Sequence, residues 1–306
     1  MTDQMHVIVV MAPPGTLFNR MLIENAVSAV QGQVVEAHRV AVPVSLADHR
    51  EVVKFLIDCP DPEKLSAQLR QLSDEHGADI ALQSRLSRCR PYGLAVFDMD
   101  STLISCEVID ELARVAGVGA EVAEITDRAM RGELDFDESF RTRLALLEGL
   151  DAGAVDELAD QLPVQSGLSE MATTLKARGL KLAIFSGGFI PIAERLKSDY
   201  GFDHVVANEL EIRGGKVTGK VVPPIVNREY KAEALGALAS RLGIHTEHCI
   251  AVGDGANDLS MMALAGLGVA FHAKPAVRAA SPIEITHIGL DGVCYLMGHE
   301  GEFAAA

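Results

Sequence analysis

Two aspartates stand two residues apart in Phe97-Asp98-Met99-Asp100-Ser101-Thr102, directly after the short apolar run Leu94–Phe97. Carboxylates this close repel unless something cationic lies between them, and a hard cation such as Mg²⁺ prefers oxygen ligands. A second group, Ser186-Gly187-Gly188, ends the apolar run Leu180–Phe185. A small hydroxyl and two glycines leave backbone N–H groups free to approach an anion at a helix start. The third is Lys231, inside a helical stretch after Pro223-Pro224. The fourth, Gly253–Asp258 (GDGAND), follows the run Cys249–Val252 and crowds two more acids and an amide into a glycine-rich turn. It is not a dinucleotide fingerprint, because Asp258 stands where the third glycine would be, an anion where a pyrophosphate would sit. A metal-facing acid cluster suits these residue types better. Each group alone also reads as solvated turn acids, a glycine turn or a surface lysine. What they share is a predicted place near the carboxyl ends of buried strands, where open α/β sheets bind ligands.

The elements that must hold these groups begin at Gly93. Short apolar runs at Leu94–Phe97, Leu180–Phe185, Cys249–Val252 and Leu267–Phe271 suit buried parallel strands, and helical patterns follow them. Apolar faces recur through Ile109, Leu112 and Ala116, Val122, Ile125 and Ala129, Phe140, Leu144 and Leu147, then Val155, Leu158 and Leu162. This helical block is too long for one crossover, so it is expected as a cap insertion over about residues 105–165. Glu209–Val222 reads as a hairpin turning at Gly214-Gly215. Before Gly93 the order is different. Strands at Met5–Met11, Val34–Val42, Val52–Ile57 and Ala78–Leu82, with helices at Thr16–Val30 and Pro62–Glu75, make a βαββαβ unit of the ferredoxin-like kind. The polar, basic Ser84–Pro91 is expected to hold the linker, at residues 86–92. The expected division is 1–85, linker, and 93–306: an α/β Rossmann-like parallel sheet with a helical cap, plus an N-terminal ferredoxin-like domain.

Composition narrows the function classes. The chain carries 27 Lys and Arg against 43 Asp and Glu, a formal net charge of −16. That balance argues against general nucleic-acid binding, which needs a basic footprint, and against docking on anionic lipid. Five cysteines, an odd number without a CxxC pair, suit a reducing compartment better than a disulfide framework. No basic segment precedes the first apolar run, and no apolar run approaches the ~20 residues of a membrane span. The expectation is a soluble, cytoplasmic protein.

Taken together and in order, DxDST, S-G-G, the lysine and GDGxND resemble the haloacid dehalogenase superfamily of phosphohydrolases over about residues 93–290. FDMDSTLISCEVIDELA, Ser186-Gly187-Gly188-Phe189 and GDGANDLSMMALAGLGVAFHAKP are closest to its phosphoserine phosphatases. The resemblance implies Mg²⁺-dependent hydrolysis of O-phospho-L-serine, the last step of serine biosynthesis, through an aspartyl-phosphate. It implies Asp98 as nucleophile and Asp100 as general acid and base. The implied metal ligands are Asp98, the backbone carbonyl of Asp100, and Asp254, with Asp258 behind them orienting the site. Ser186, the Gly187 N–H, Lys231 and Asn257 match the phosphate grip. In the cap, Glu107 matches the partner of the substrate ammonium and Arg143 that of its carboxylate, with Met130 and Phe136 as apolar walls. A phosphotransferase, or a phosphatase for another small phosphorylated alcohol, is the alternative. The N-terminal unit, with APPGTL after its first strand, resembles an ACT domain, which implies regulation by a small molecule or homodimer formation.

Overall fold

The computed structural model describes residues 5–16, 18–41, 50–299 and 302–303, with the backbone alone at Met130. Its first unit runs β1 (Met5–Ala12), α1 (Met21–Ala29), β2 (Gln33–Arg39), β3 (Glu51–Asp58), α2 (Pro62–His76) and β4 (Asp79–Ser84). The strands form an antiparallel sheet in the order β2-β3-β1-β4, the expected ferredoxin-like arrangement. α1 starts later than its apolar spacing predicts. The Thr16 N–H closes a turn on the Pro13 carbonyl, and the Asn19 side chain accepts the Met21 N–H at 3.0 Å, so the helix begins at Met21. The strand predicted over Val34–Val42 ends at Arg39, and Val42 lies outside the described residues. α2 is stopped at both ends: Asp61 caps the Lys64 N–H and Gly77 takes a left-handed φ of 61°.

Both faces of this sheet are covered. Ile8, Val10, Phe55 and Ile57 pack under Ile23 and Val27 of α1 and Leu65 and Leu69 of α2. Val7, Val9, Met11, Val52, Leu56 and Ala81, on the opposite face, belong to one apolar cluster with Leu290, Val293, Leu296, Met297 and Phe303 near the other end of the chain. The stretch expected as a polar, basic linker holds a helical turn, α3 (Arg85–Arg88), and Arg88 is 0% exposed. Its guanidinium donates to Gln83 Oε1 and the Tyr295 carbonyl, both at 2.8 Å, and to Glu302 Oε2 at 2.7 Å. The basic run read as a linker because this carboxylate partner is 214 residues away in sequence. Lys54 also pairs with Glu302, and Arg50 with Asp291. Burial pushes the Glu302 carboxyl up, but Arg88 and Lys54 outweigh this and bring it down to about 2. Lys54 is lowered by burial and by Arg88, because two cations share one carboxylate.

The second unit opens with β5 (Leu94–Phe97) and the cap helices α4 (Val108–Ala116), α5 (Gly119–Met130), α6 (Phe136–Ala145) and α7 (Gly153–Ala159). The cap leaves and re-enters through a narrow stem. Ile104 bridges Val164, the Ser105 N–H donates to the Pro163 carbonyl at 2.8 Å, and the Gln165 N–H to the Leu103 carbonyl at 2.9 Å. Then follow α8 (Leu168–Ala177), β6 (Lys181–Phe189), α9 (Ile190–Tyr200), β7 (His204–Arg213), β8 (Lys216–Val222), α10 (Arg228–Arg241), β9 (Cys249–Gly253), α11 (Leu259–Leu264), β10 (Leu267–Phe271), α12 (Pro275–Ala280), β11 (Glu284–Ile285) and α13 (Gly292–Leu296). The sheet order is β11-β10-β9-β5-β6-β7-β8. All neighbours are parallel except β7 and β8, the expected hairpin. β7 starts earlier than predicted because His204–Val206 pairs with Ala183–Phe185 of β6. β5 is central, with β6 on one side and β9 on the other, so the crossovers diverge there and leave a crevice at the strand ends. No helix among the described residues is long and apolar enough to cross a membrane.

Candidate active site

The Asp98 N–H donates to the Val252 carbonyl at 2.9 Å, which carries the ladder of β5 one residue past its end. Asp98 Oδ1 accepts from the Met99 N–H and from Lys231 Nζ, each at 2.7 Å. Lys231 also reaches Asp258 Oδ1 at 2.7 Å and is 0% exposed, so it is no surface lysine. The Asn227 side chain caps α10 through the Tyr230 N–H, which fixes the turn that carries Lys231. Burial would lower the Lys231 ammonium, but Asp258 and Asp98 outweigh it and hold it above its ordinary range.

One carboxylate oxygen each from Asp98, Asp254 and Asp258 falls within 4.8 Å of the others, and all three residues are buried. A single buried ammonium undercompensates three buried acids, and the result shows in the protonation of Asp98 and Asp254. Burial, then the charge of Asp258, holds Asp98 well above the usual carboxylate range. Burial, then Asp258 again, pushes Asp254 up to about 7, although Thr102 Oγ1 donates to it at 3.3 Å. Carboxylate oxygens out of water with excess negative charge fit a hard cation. Asp258 has one oxygen on Lys231 and accepts the Gly255 N–H on the other at 3.0 Å, so both are engaged.

Asp100 faces the cap rather than this cluster. Its Oδ1 accepts the Val108 N–H at 2.9 Å and its Oδ2 the Ser186 hydroxyl at 3.2 Å. Burial, then Glu107, pushes its carboxyl up to about 7. Ser186 Oγ in turn accepts the Gly188 N–H at 2.7 Å, so the hydroxyl points at Asp100 in this state. A Cβ on Gly188 would sit 2.5 Å from Asp100 Oδ2 and 2.7 Å from Met99 Cε, so only glycine lets β6 approach this closely.

These protonation states predict how metal-free stability depends on pH. Asp100 and Asp254 rise from 3.8 to about 7 on folding, so between those values the folded chain holds protons that the unfolded chain has released. Stability then falls as pH rises through this window. In EDTA, the melting temperature is expected to drop by roughly 5 °C between pH 5 and pH 8, with a divalent cation restoring more at pH 8 than at pH 5. A flat or rising EDTA profile would contradict this charge balance.

Above this floor opens a cavity of about 630 Å³, lined by Asp98, Asp100, Glu107, Asp254 and Asn257, by Gly187 and Gly188, and on the cap side by Phe136, Phe140 and Arg143. Glu107 stands just before α4 and accepts the Ser101 hydroxyl at 2.8 Å. Phe136 stacks on Phe140, with ring centres 6.3 Å apart. The Met130 side chain lies outside the described residues. Arg143 Nε is buried with no hydrogen-bond partner among the described residues. Burial lowers the Arg143 guanidinium against the pull of Asp110 and Glu107.

Apart from Met130, whose side chain lies outside the described residues, the sequence-predicted site residues therefore converge. Asp98, Asp100, Glu107, Arg143, Gly187, Asp254 and Asn257 line the cavity, with Ser186, Lys231 and Asp258 buried beneath it. Sequence reasoning missed five others. Thr102 holds Asp254 and was already inside the first motif. Asn208, 0% exposed, donates to the Gly187 carbonyl at 2.7 Å and accepts the Val226 N–H at 2.8 Å. Its signal was a lone amide after the apolar Val205–Ala207. Asp110 lines the wall, and so does Ser139, whose buried hydroxyl is likewise unpartnered. Ser139 lies one helical turn before Arg143, a spacing that puts both on one face. Lys274 lies on the rim, with its ammonium 3.9 Å from Asp254 Oδ2.

The model of the haloacid dehalogenase-like hydrolases matches residues 92–266. A phosphoserine phosphatase of Mycobacterium tuberculosis is 45% identical over 243 residues, 79% of this chain and 59% of that protein, so the chain spans about three fifths of that relative. One from Archaeoglobus fulgidus is 39% identical over 253 residues, 82% of this chain and 74% of its own length. Among solved structures, a haloacid dehalogenase family hydrolase from Salmonella enterica serovar Typhi superposes with a TM-score of 0.84 at 31% identity, covering 97% of this chain and 99% of that one. The doubly wound sheet, the acids at its switch point and these matches agree: the chain belongs to the haloacid dehalogenase-like hydrolases, with phosphoserine phosphatases among its curated relatives.

Proposed function

We propose that the chain hydrolyses O-phospho-L-serine to L-serine and phosphate, with Mg²⁺ as cofactor and a covalent phosphate on Asp98. The observation that carries this reading is the cavity itself. It joins a buried acid–lysine floor, suited to a phosphate and its metal, to a cap wall bearing Glu107 and Arg143, whose buried Nε has no hydrogen-bond partner among the described residues. An amino acid has the matching charges, an ammonium for Glu107 and a carboxylate for Arg143.

In this reading Asp98, Asp254 and the backbone carbonyl of Asp100 hold the ion, and Asp258 orients the site from behind. The bound ion supplies charge screening between the carboxylates and the phosphate dianion and stabilises charge on the transferring oxygens. The hydrogen bonds from Met99 and Lys231 both fall on Asp98 Oδ1, which leaves Oδ2 to attack phosphorus. As the bond from Asp98 forms, the bond to the serine oxygen breaks. Asp100 delivers its proton to that oxygen. It then takes a proton from the water that attacks phosphorus and frees Asp98. A carboxyl near 7 can do both at neutral pH. Lys231, Asn257, the Gly187 N–H and the Ser186 hydroxyl, once turned from Asp100, serve as donors to the phosphate. Asn208, which grips the Gly187 carbonyl, keeps that peptide in place. The cap stem at Ile104 and Val164 is where the cap would hinge to exclude water. Cytoplasmic location and a place in serine formation go with this reading.

The test is phosphate release from L-phosphoserine with Mg²⁺ and with EDTA, beside sugar and nucleotide phosphates and p-nitrophenyl phosphate. Release is expected from phosphoserine over the other metabolites and only with the ion. Arg143→Ala should raise KM for phosphoserine about 100-fold, the worth of two charge-assisted hydrogen bonds. Turnover of p-nitrophenyl phosphate, which has no carboxylate, should be unchanged. An equal loss on both substrates would remove Arg143 from substrate selection, and release from a sugar phosphate instead would discard this reading of the cap.

A further inference from the structure

Asp79, at the start of β4 in the N-terminal sheet, is 0% exposed and forms no ion pair with a lysine or arginine among the described residues. Its carboxylate instead gathers three consecutive backbone N–H groups of the other unit. Oδ1 accepts from Thr286 at 2.6 Å and His287 at 3.1 Å, and Oδ2 from His287 and Ile288 at 3.0 Å each. The segment so fixed then holds His272. The His272 N–H donates to the Ile285 carbonyl at 2.7 Å, and its Nε2 to the Ile288 carbonyl at 2.9 Å. His272 has a φ of 44°, a left-handed conformation that a non-glycine residue keeps only when its surroundings impose it. Two residues on, the Lys274 N–H donates to the Asp254 carbonyl at 3.2 Å, and the Lys274 ammonium lies 3.9 Å from Asp254 Oδ2.

We infer that Asp79 is a positioning residue for the candidate metal site, acting across the two units through residues 286–288, His272 and Lys274 on Asp254. The chain of contacts is continuous: hydrogen bonds to backbone groups run from Asp79 to residues 286–288 and from His272 to Ile285 and Ile288, the backbone carries it two residues on to Lys274, and Lys274 meets Asp254 through a backbone hydrogen bond and the longer ammonium contact. Asp79 touches no substrate. Its effect is to set where the Asp254 backbone and the Lys274 cation stand. The inference rests on the metal-dependent reading of the acid cluster given above.

The experiment uses the full chain, with Mn²⁺ as the probe, bound-ion titration by electron paramagnetic resonance, and the His272 ring resonances by NMR. Asp79→Asn keeps the size but turns an amide donor toward N–H groups. It is expected to weaken Mn²⁺ binding roughly fivefold and to shift the His272 signals. Glu302→Gln, which disturbs the buried Arg88 and Lys54 pairs elsewhere between the units, should lower the melting temperature and leave both readouts alone. His272→Phe guards against misfolding of the Asp79 variant. Its ring is exposed and cannot donate, so it should fold and reproduce the loss of Mn²⁺ affinity. Unchanged Mn²⁺ affinity and His272 signals in a folded Asp79→Asn, or unchanged affinity in His272→Phe, would overturn the proposal. If the wild-type chain bound no Mn²⁺, the metal reading itself would fall, and the His272 signals in Asp79→Asn would decide the positioning role alone.

Discussion

Replacing Asp98 by Asn is expected to end phosphate release from L-phosphoserine, a loss on the order of 10⁴-fold or more, while the protein stays folded. The amide oxygen can still accept from the Met99 N–H and Lys231 Nζ, so the local geometry survives. What disappears is the proposed nucleophile and one of three crowded charges. Asp98 is held well above the usual carboxylate range by burial and by Asp258, so its ionised form works against the metal-free fold. The metal-free variant should therefore melt no lower than the wild type at pH 7. Both arms are read on one preparation: phosphate release with Mg²⁺, and a melt in EDTA. Wild-type turnover would mean that another group attacks phosphorus. A clear loss of stability would mean that the Asp98–Lys231 pair is a structural requirement whose charge the fold cannot spare.

Much of this site could be read from residue order because its parts are local. A motif at the end of a buried strand needs only that strand to be placed; β5 and β9 were each marked by an unbroken apolar run and β6 by one interrupted only at Lys181. Lys231 needed the resemblance as well, since nothing in its own helix separates it from a surface lysine. The long-range contacts left no such trace. Asp79 was one residue of the predicted strand Ala78–Leu82, with nothing to single it out, and Arg88 was part of a polar linker. Their partners lie more than 200 residues away, and only the packed structure brings them together. The late start of α1 was missed for a different reason. Its apolar period continues back toward Thr16, but the turn at Pro13–Thr16 and the Asn19 contact override the period locally.

The same distant contacts make a second large effect. A chain shortened to residues 86–306 is expected to aggregate or to lose its cooperative melt, rather than to behave as a free-standing enzyme. The N-terminal sheet does not hang on a flexible tether. One of its faces covers an apolar layer that includes Leu290, Val293, Leu296, Met297 and Phe303. Exposing a large apolar side chain costs about 1.5–3 kcal/mol. A handful of them rivals the whole net stability of a typical domain, about 5–15 kcal/mol. Truncation also strands charge. Asp291 loses Arg50, Glu302 loses Lys54, and the backbone N–H groups of Thr286, His287 and Ile288 lose Asp79. Breaking one buried ion pair from one side costs about 3–5 kcal/mol. Soluble yield, far-ultraviolet circular dichroism and a thermal melt of the two chain lengths measure the outcome. A soluble short chain melting within a few degrees of the full one would show that the C-terminal segment finds other cover. In that case residues 1–85 would be a separable unit, and removing them would become a clean test of regulation. If the short chain fails as expected, loss of activity on truncation says nothing about regulation. Point changes at the contacts between the units, Asp79 first among them, are then the way to ask whether the N-terminal unit reaches the chemistry.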